Sequence, residues 1–205
     1  MKTLRIFLLL FLFCSFPAFA ADEPEKGKDA KEATPQERQA MRLEAIGKKD
    51  PELKAEIERQ LERAKTQDEN DEKLYSRDQI RMMRPTISAA GKDNPEGEKA
   101  LRLILSKYPK ASFVGCALFR HAMDCQKSQD KVKYLKMVLK DYEDVVLHNG
   151  VQLGAFARYF LSKEALKSGD RAKSQRLMAE IKDKFPNAFD GRWNRLGEGR
   201  DPKEE

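Results

Sequence analysis

The chain has 205 residues, a length that suits one domain of ordinary size with tails. Its formal net charge is +6, with 40 basic and 34 acidic residues; the two signs are interleaved as on solvated helix faces, so we expect no nucleic-acid partner. The sequence contains no serine elbow, Gly-rich phosphate loop or HExxH motif, and we therefore predict no enzymatic activity and no cofactor.

The N-terminal residues 1–20 have the features of a secretory signal peptide. Lys2 and Arg5 flank the start, residues 6–13 are apolar, and Ala-Phe-Ala ends the segment. The alternative, a membrane anchor, is disfavoured because the apolar run is shorter than the ~20 residues that span a bilayer. We expect cleavage before Ala21, a periplasmic or secreted protein, and no membrane span after cleavage.

Residues 21–34 are predicted to be a disordered linker, and residues 35–92 a helical segment. The linker is charged and lacks large apolar side chains that would drive folding. Thr34 and Glu37 have the spacing of a capping box at the start of the first helix. Asp50 precedes a proline and starts a second helix by the same logic.

The second predicted helix carries one narrow apolar stripe. It consists of Leu53, Ile57, Leu61 and Ala64. A stripe this thin packs against a single partner. That partner is either the rest of the chain or a second copy, in which case the protein self-associates through residues 51–66.

The rest of this segment contains several predicted breaks. Residues 67–73 are polar and are expected to form a loop. Ser76 is a capping residue for a further helix, which Pro85 should bend or end. Residues 91–94 are expected to form a turn.

Residues 93–196 contain three similar phrases, in which an apolar helix end is followed by an aromatic residue and a stop. The aromatic residues are Tyr108, Tyr142 and Phe185. The first two are 34 residues apart, which is the period of a helix pair, and the last two are 43 apart, one period plus an inserted loop. The phrases predict a ladder of short helices.

The periodicity of the ladder is helical throughout, and no strand is expected. The predicted helices begin at residue 95, span 112–126, 130–142 and 151–167, resume after Asp170, and end with a short helix at 188–196. In that last helix Phe189 and Trp193, four residues apart, would share a face. The tail 197–205 is expected to be mobile.

Residues 95–196 resemble degenerate tetratricopeptide repeats. The matching residues are Leu161, Ser162, Ala165, Ser174, Met178 and Pro186 in the last repeat, and Leu118, Phe119, Ala122 and Leu135 in the preceding one. The phrases are also similar to repeats of exported envelope proteins such as the Tol-Pal-associated periplasmic protein. The resemblance implies an all-α array of helix pairs. It also implies a non-enzymatic scaffold that binds a protein or peptide of the cell envelope.

The resemblance further implies a curved inner surface lined by the first helix of each pair. The lining residues would be Phe113, Cys116, Arg120, Met123 and Asp124 from one pair, and Phe156, Tyr159, Lys163 and Lys167 from the next. Mixed aromatic and charged groups suit a protein or peptide partner. The alternative is that the two phenylalanines pack within the fold and that the charges are only solvated.

Cys116 and Cys125 remain after signal cleavage. Nine residues of one helix separate them by roughly 13 Å, beyond the ~7 Å that a disulfide tolerates, so we expect two free thiols. His121 and Cys125 are four apart and offer two metal ligands on one face. Structural zinc usually needs four ligands, and we predict no metal site. A thiol or metal function at Cys116, or at His121 with Cys125, is the alternative to the scaffold.

Overall fold

The computed structural model describes residues 34–196, and this part of the chain is built from α-helices. They are α1 (Pro35–Gly47), α2 (Pro51–Tyr75), α3 (Arg77–Ala90), α4 (Pro95–Lys107), α5 (Ser112–Asp124), α6 (Ser128–Asp141), α7 (Leu153–Lys167) and α8 (Arg171–Lys184). No β-strand occurs within these residues, and the all-α prediction is confirmed. None of the helices in this range combines the length and apolar character needed to cross a bilayer. The predicted signal peptide, nearly all of the linker and the tail lie outside the described residues.

Five of the eight described helices begin at a capping side chain, whereas α5, α6 and α7 do not. The capping side chains are Thr34, Asp50, Ser76, Asn94 and Asp170. At Thr34 both bonds of the capping box form, because Glu37 N–H donates to the hydroxyl and Thr34 N–H donates to the Glu37 carboxylate. The Asp50 carboxylate accepts the Leu53 N–H at 2.8 Å. These side chains satisfy N–H groups that a helix start otherwise leaves unpaired.

The three repeated phrases end three helices in the same way. Tyr108, Tyr142 and Phe185 are the C-terminal caps of α4, α6 and α8, and each backbone N–H donates to the carbonyl four residues earlier. Two of these rings lie against a glycine of the helix before. A Cβ at Gly115 would come within 2.9 Å of the Tyr142 side chain, and one at Gly154 would come within 2.8 Å of the Phe185 ring. The prediction that the phrases are helix ends is confirmed.

The loops after α6 and after α8 are alike. In the first, Val146 forms an antiparallel bridge with Gln152, and in the second Phe189 forms one with Arg195. Both bridges lie four and ten residues beyond the aromatic cap. The predicted short helix at 188–196 is therefore wrong, because the carboxylate of Asp190 accepts the N–H groups of residues 192 and 194 and folds this segment into a turn.

Consecutive helices form the pairs α3–α4, α5–α6 and α7–α8, and α5 also contacts the first helices α3 and α7 of its neighbours. The ladder therefore begins one helix earlier than the sequence indicates, since α3 is the first helix of the pair that contains α4. The fully buried side chains between the helices of the array include Ile104, Val114, Leu118, Leu135, Val138 and Leu153. Apolar burial of this kind is the main stabilising contribution to a helical array.

The helices α1 and α2 pack on the two loops of the array. Leu53 and Ile57 form a buried cluster with Val151, Phe189 and Trp193. Next to it, the Asp50 carboxylate pairs with the Arg195 guanidinium at 2.8 Å. The apolar stripe of α2 is thus buried within its own chain, as the first of the two sequence interpretations expected.

Two predicted breaks do not occur. Residues 67–73 belong to α2, where Gln67 and Asp71 are held by the neighbouring pairs rather than left in a polar loop. Pro85 lies inside α3 without ending it. Proline has no N–H to donate to the carbonyl of Arg81, so α3 lacks one backbone hydrogen bond there. The side chains of Arg81 and Pro85 are exposed, so this part of the helix faces water.

Candidate functional site

Helix α2 covers part of the inner surface that the sequence predicts for a partner. The Phe113 ring packs against Tyr75 of α2 and against Tyr108, with centroids 6.3 and 5.7 Å away. Phe156 packs against the cluster that contains Leu53 and Ile57. These two predicted binding residues are therefore engaged by the chain itself.

A buried carboxylate fixes α2 over the start of α5. Helix α5 has no side-chain cap of its own, since Ala111 occupies the capping position. Asp71, which is 5% exposed, accepts the backbone N–H and the hydroxyl of Ser112 at 2.9 and 2.6 Å and the N–H of Phe113 at 3.3 Å. Earlier in α2, Arg63 and Gln67 donate to the backbone carbonyl of Asp144.

Beyond α2, the C-terminal halves of α5 and α7 present a strip that we call the open groove. It consists of Arg120, Asp124, Tyr159, Lys163 and Lys167. The Arg120, Asp124 and Lys167 side chains are exposed, and those of Tyr159 and Lys163 are half-buried. The structure thus separates these five predicted binding residues from the two that α2 engages.

The floor of the open groove is aromatic. Tyr159 stacks on Phe156, with centroids 6.3 Å apart and planes 13° apart, and lies edge-on to Phe160 at 5.5 Å. Phe119 of α5 joins the same group, 5.6 Å from Phe156. Lys163 lies over the Tyr159 ring at 5.4 Å, a cation–π contact that keeps the ammonium next to the aromatic surface.

On one side, the residues of the open groove contact α3 and the turn after it. Arg120 donates to the carbonyl of Ile87 at 3.3 Å, and the Asp124 carboxylate accepts the N–H of Asp93 at 2.7 Å. On the other side Lys167 pairs with Glu164 at 2.9 Å. These contacts with backbone atoms fix the directions of the Arg120 and Asp124 side chains.

Neither cysteine has the properties of a reactive thiol. Both are free, as predicted. Burial, with Asp68 and Asp71 nearby, raises the pKa of Cys116 to about 12 against a smaller opposing effect of Arg120. Burial, together with Asp93 and Asp130, raises the pKa of Cys125 to about 11. Nucleophilic cysteines have lowered pKa values in electropositive surroundings, so both thiols are of the structural kind.

The structure adds a third group to the pair of His121 and Cys125. Asp93, from the turn between α3 and α4, offers an oxygen that lies within 4.8 Å of a ring nitrogen of His121 and the sulfur of Cys125, which themselves lie within that distance of each other. No local pattern distinguishes Asp93 from the many other carboxylates of the chain. It becomes a neighbour only because α3 packs beside α5, a contact between helices that no local motif reveals. The capping role of Asp71 likewise depends on a contact between distant helices, so no local motif predicts it.

Comparison of the chain with known protein families, with curated proteins and with solved structures finds no match. The likeness to tetratricopeptide repeats therefore stays a prediction from residue spacing, and so does the likeness to the Tol-Pal-associated protein.

Proposed function

We propose that this protein is an exported, non-enzymatic helical scaffold that holds a segment of another cell-envelope protein in the open groove. The observation that carries the proposal is the strip on α5 and α7 that α2 leaves uncovered. It combines an aromatic floor with side chains whose directions are already fixed. The signal-peptide pattern of residues 1–20 supports export, and the stacked helix pairs support a binding role.

The composition of the open groove favours an acidic partner segment with an apolar or aromatic residue. The open groove carries three cations, Arg120, Lys163 and Lys167, next to the Asp124 carboxylate, and Lys167 also pairs with Glu164. Arginine and tyrosine are the residue types that most often dominate binding energies, and Arg120 and Tyr159 occupy the two helices that flank the groove. Fixed side chains also reduce the entropy cost of binding.

Site-specific cross-linking in a secreting host tests where a partner binds. A photoreactive residue replaces Lys167 in the open groove, and in a matched protein it replaces Arg176, an exposed cation on α8. We expect one cross-linked envelope protein from position 167 and none from position 176. Equal cross-linking from both positions would show that the contact is not specific to the groove.

The cysteines distinguish the scaffold from the thiol-based alternative. A chain with Cys116→Ser and Cys125→Ser should give the same cross-linked product from position 167, because binding in the open groove needs no sulfur chemistry. If this variant lost the product while Arg120→Ala with Tyr159→Ala kept it, the scaffold assignment would be wrong.

A further inference from the structure

We propose that Asp93, His121 and Cys125 bind a zinc ion that fastens the turn between α3 and α4 to the C-terminal end of α5. The proposal does not depend on the proposed function, although the N–H of Asp93 donates to the groove residue Asp124. The three residues come from two helix pairs, and their potential ligand atoms all lie within 4.8 Å of one another.

The geometry of His121 points most directly to a ligand. The side chain is fully buried. Its Nδ1 lies 3.1 Å from the carbonyl oxygen of Ala90, the last residue of α3. A carbonyl only accepts, so Nδ1 carries the proton and Nε2 of the neutral ring has a free lone pair. Nε2 is buried and has no hydrogen-bond partner within residues 34–196.

An unsatisfied buried nitrogen of this kind is costly, and a native fold rarely leaves one without a reason. The bond from Nδ1 to a backbone carbonyl is also the arrangement that metal-bound histidines usually have, because it fixes the tautomer and orients the ring. Tyr134 of α6 holds the ring from the side, edge-on with centroids 4.6 Å apart.

Cys125 and Asp93 would supply the other two ligand atoms. Cys125 is the C-terminal cap of α5, and its side chain is buried. Asp93 is held by two backbone bonds: its N–H donates to Asp124 at 2.7 Å, and its carboxylate accepts the N–H of Gln126 at 3.2 Å. A metal would replace the thiol proton and take the sulfur, the nitrogen and one carboxylate oxygen as ligands.

The mixture of ligand atoms selects the ion. Calcium and magnesium prefer oxygen ligands alone, whereas zinc accepts sulfur, nitrogen and oxygen together. Bonds of about 2.0–2.3 Å in a tetrahedral site place the ligand atoms roughly 3.3–3.7 Å apart. The present separations of up to 4.8 Å therefore need only small side-chain rotations.

A fourth ligand is available from the solvent side. Asp93 lines a cavity of about 290 Å³ between α4 and α6, together with Asp130 and Tyr134. Water in this cavity can reach Asp93 and complete the coordination. Three protein ligands with a fourth position open to water occur in catalytic zinc sites, whereas structural sites usually have four protein ligands; the set of Asp93, His121 and Cys125 is of the first kind.

Titration with Co²⁺, a spectroscopic substitute for Zn²⁺, tests the site in the purified chain kept reduced by a phosphine. We expect a sulfur-to-cobalt charge-transfer band that saturates at one ion per chain and disappears on addition of Zn²⁺. Cys125→Ser should abolish the band, whereas Cys116→Ser, the matched control at the other cysteine, should leave it unchanged.

A second variant, Asp93→Asn, keeps the experiment decisive if Cys125→Ser, at a buried position, folds poorly. Asp93 is exposed, and the amide oxygen of asparagine can still accept the Gln126 N–H. We expect this variant to fold, with the helicity of the unchanged chain, and to bind Zn²⁺ at least about tenfold more weakly, measured as a smaller rise in Tm at a given Zn²⁺ concentration. The proposal is overturned if the unchanged chain gives no band, if the band survives in Cys125→Ser, or if Asp93→Asn binds Zn²⁺ as tightly as the unchanged chain.

Discussion

At the level of single residues, the most consequential side chain in the described part of the chain is Asp71, which caps a helix to which it does not belong. Its carboxylate accepts from the start of α5 and fixes α2 over the array. A helix start carries partial positive charge and unpaired N–H groups, so a carboxylate there stabilises both.

Replacing Asp71 by alanine should lower the free energy of unfolding by about 1–2 kcal/mol, the usual effect of removing a helix cap. The matched control is Asp68→Ala on the same helix. Burial raises the pKa of Asp68, with the charges of Asp71 and Glu72 acting in the same direction, so its loss should not destabilise the fold at neutral pH. Urea unfolding of both variants measures the difference, and equal effects would contradict the capping role.

The pair of Asp50 and Arg195 should make stability depend on pH. The Arg195 guanidinium and the Leu53 N–H hold the pKa of Asp50 below its usual value. A lowered folded-state pKa stabilises the fold above the unfolded pKa of about 3.9, and this stabilisation is lost as the pH falls through the folded value. Asp50→Asn keeps a capping side chain but cannot ionise.

We therefore expect Asp50→Asn to have a lower Tm than the unchanged chain at pH 7, and the gap should narrow toward pH 3. Thermal unfolding followed by circular dichroism at both pH values measures it. Arg195→Gln should remove the same pH-dependent part. A gap of equal size at pH 7 and pH 3 would show that the ion pair does not stabilise the fold.

At the level of elements, the array repeats a helix pair together with the loop that follows it. The loop after α6, which the sequence presents as an insertion, has a counterpart after α8 with the same bridge positions. The two loops contact each other, since the Trp193 ring N–H donates to the Asn149 carbonyl at 3.0 Å. The 43-residue spacing between Tyr142 and Phe185 is thus a structural period in itself.

Contacts with the pair α7–α8 explain why Glu143 follows Tyr142, whereas a proline follows Tyr108 and Phe185. Its carboxylate pairs at 2.7 Å with Arg158 of α7, a cation that is 5% exposed. Glu180 of α8 binds the same guanidinium at 3.0 Å, and the carbonyl of Gly154 accepts from it at 3.1 Å. A buried cation requires such partners, and proline at 143 would remove one.

Gly154→Ala tests the close approach between α7 and the ring that ends α8. The added Cβ would lie 2.6 Å from the Glu143 carbonyl and 2.8 Å from the Phe185 ring, so the helix or the loop must shift. We expect a loss of about 1–3 kcal/mol in urea unfolding, typical of overpacking. At Gly47 the Cβ would meet only the flexible Lys54 side chain; Gly47→Ala is the control and should cost little. Equal stability of the two variants would contradict this contact.

The sequence predicts those elements that local chemistry determines. Caps such as Asp50 and aromatic stops such as Tyr108 act on their own helix within four residues, so a local pattern suffices. The continuation of α2 through residues 67–73 depends on bonds to residues far along the chain, for example from Gln67 to Asp144. The aromatic pair Phe189 and Trp193 does not distinguish a helix at 188–196 from the observed turn, because an i,i+4 pair occurs equally in a loop that buries both rings.

At the level of the whole molecule, helices α1 and α2 pack on the array of helix pairs and share a core with it. Helix α2 crosses the loops and the start of α5 and contributes its own apolar stripe to the core. Of the residues that the sequence predicts for a partner, α2 and its neighbours engage Phe113 and Phe156, whereas those of the open groove lie beyond α2.

The spacing of one helical face groups the residues of the open groove with Phe113 and Phe156. This spacing does not show that α2 covers the two phenylalanines and leaves the other residues uncovered. That difference depends on contacts that join α2 to loops some eighty residues away. The zinc ligand Asp93 was likewise out of reach, since it joins His121 only through the contact of α3 with α5.

The most direct test of the scaffold is the affinity of the cross-linked partner's segment for the purified chain, measured by calorimetry. The double variant Arg120→Ala with Tyr159→Ala should weaken binding at least about tenfold, or ~1.4 kcal/mol, with helicity unchanged. The matched double variant Lys136→Ala with Arg176→Ala removes two exposed side chains from α6 and α8 and should bind like the unchanged chain. Unaltered affinity in the groove variant, or an equal loss in both variants, would contradict the account.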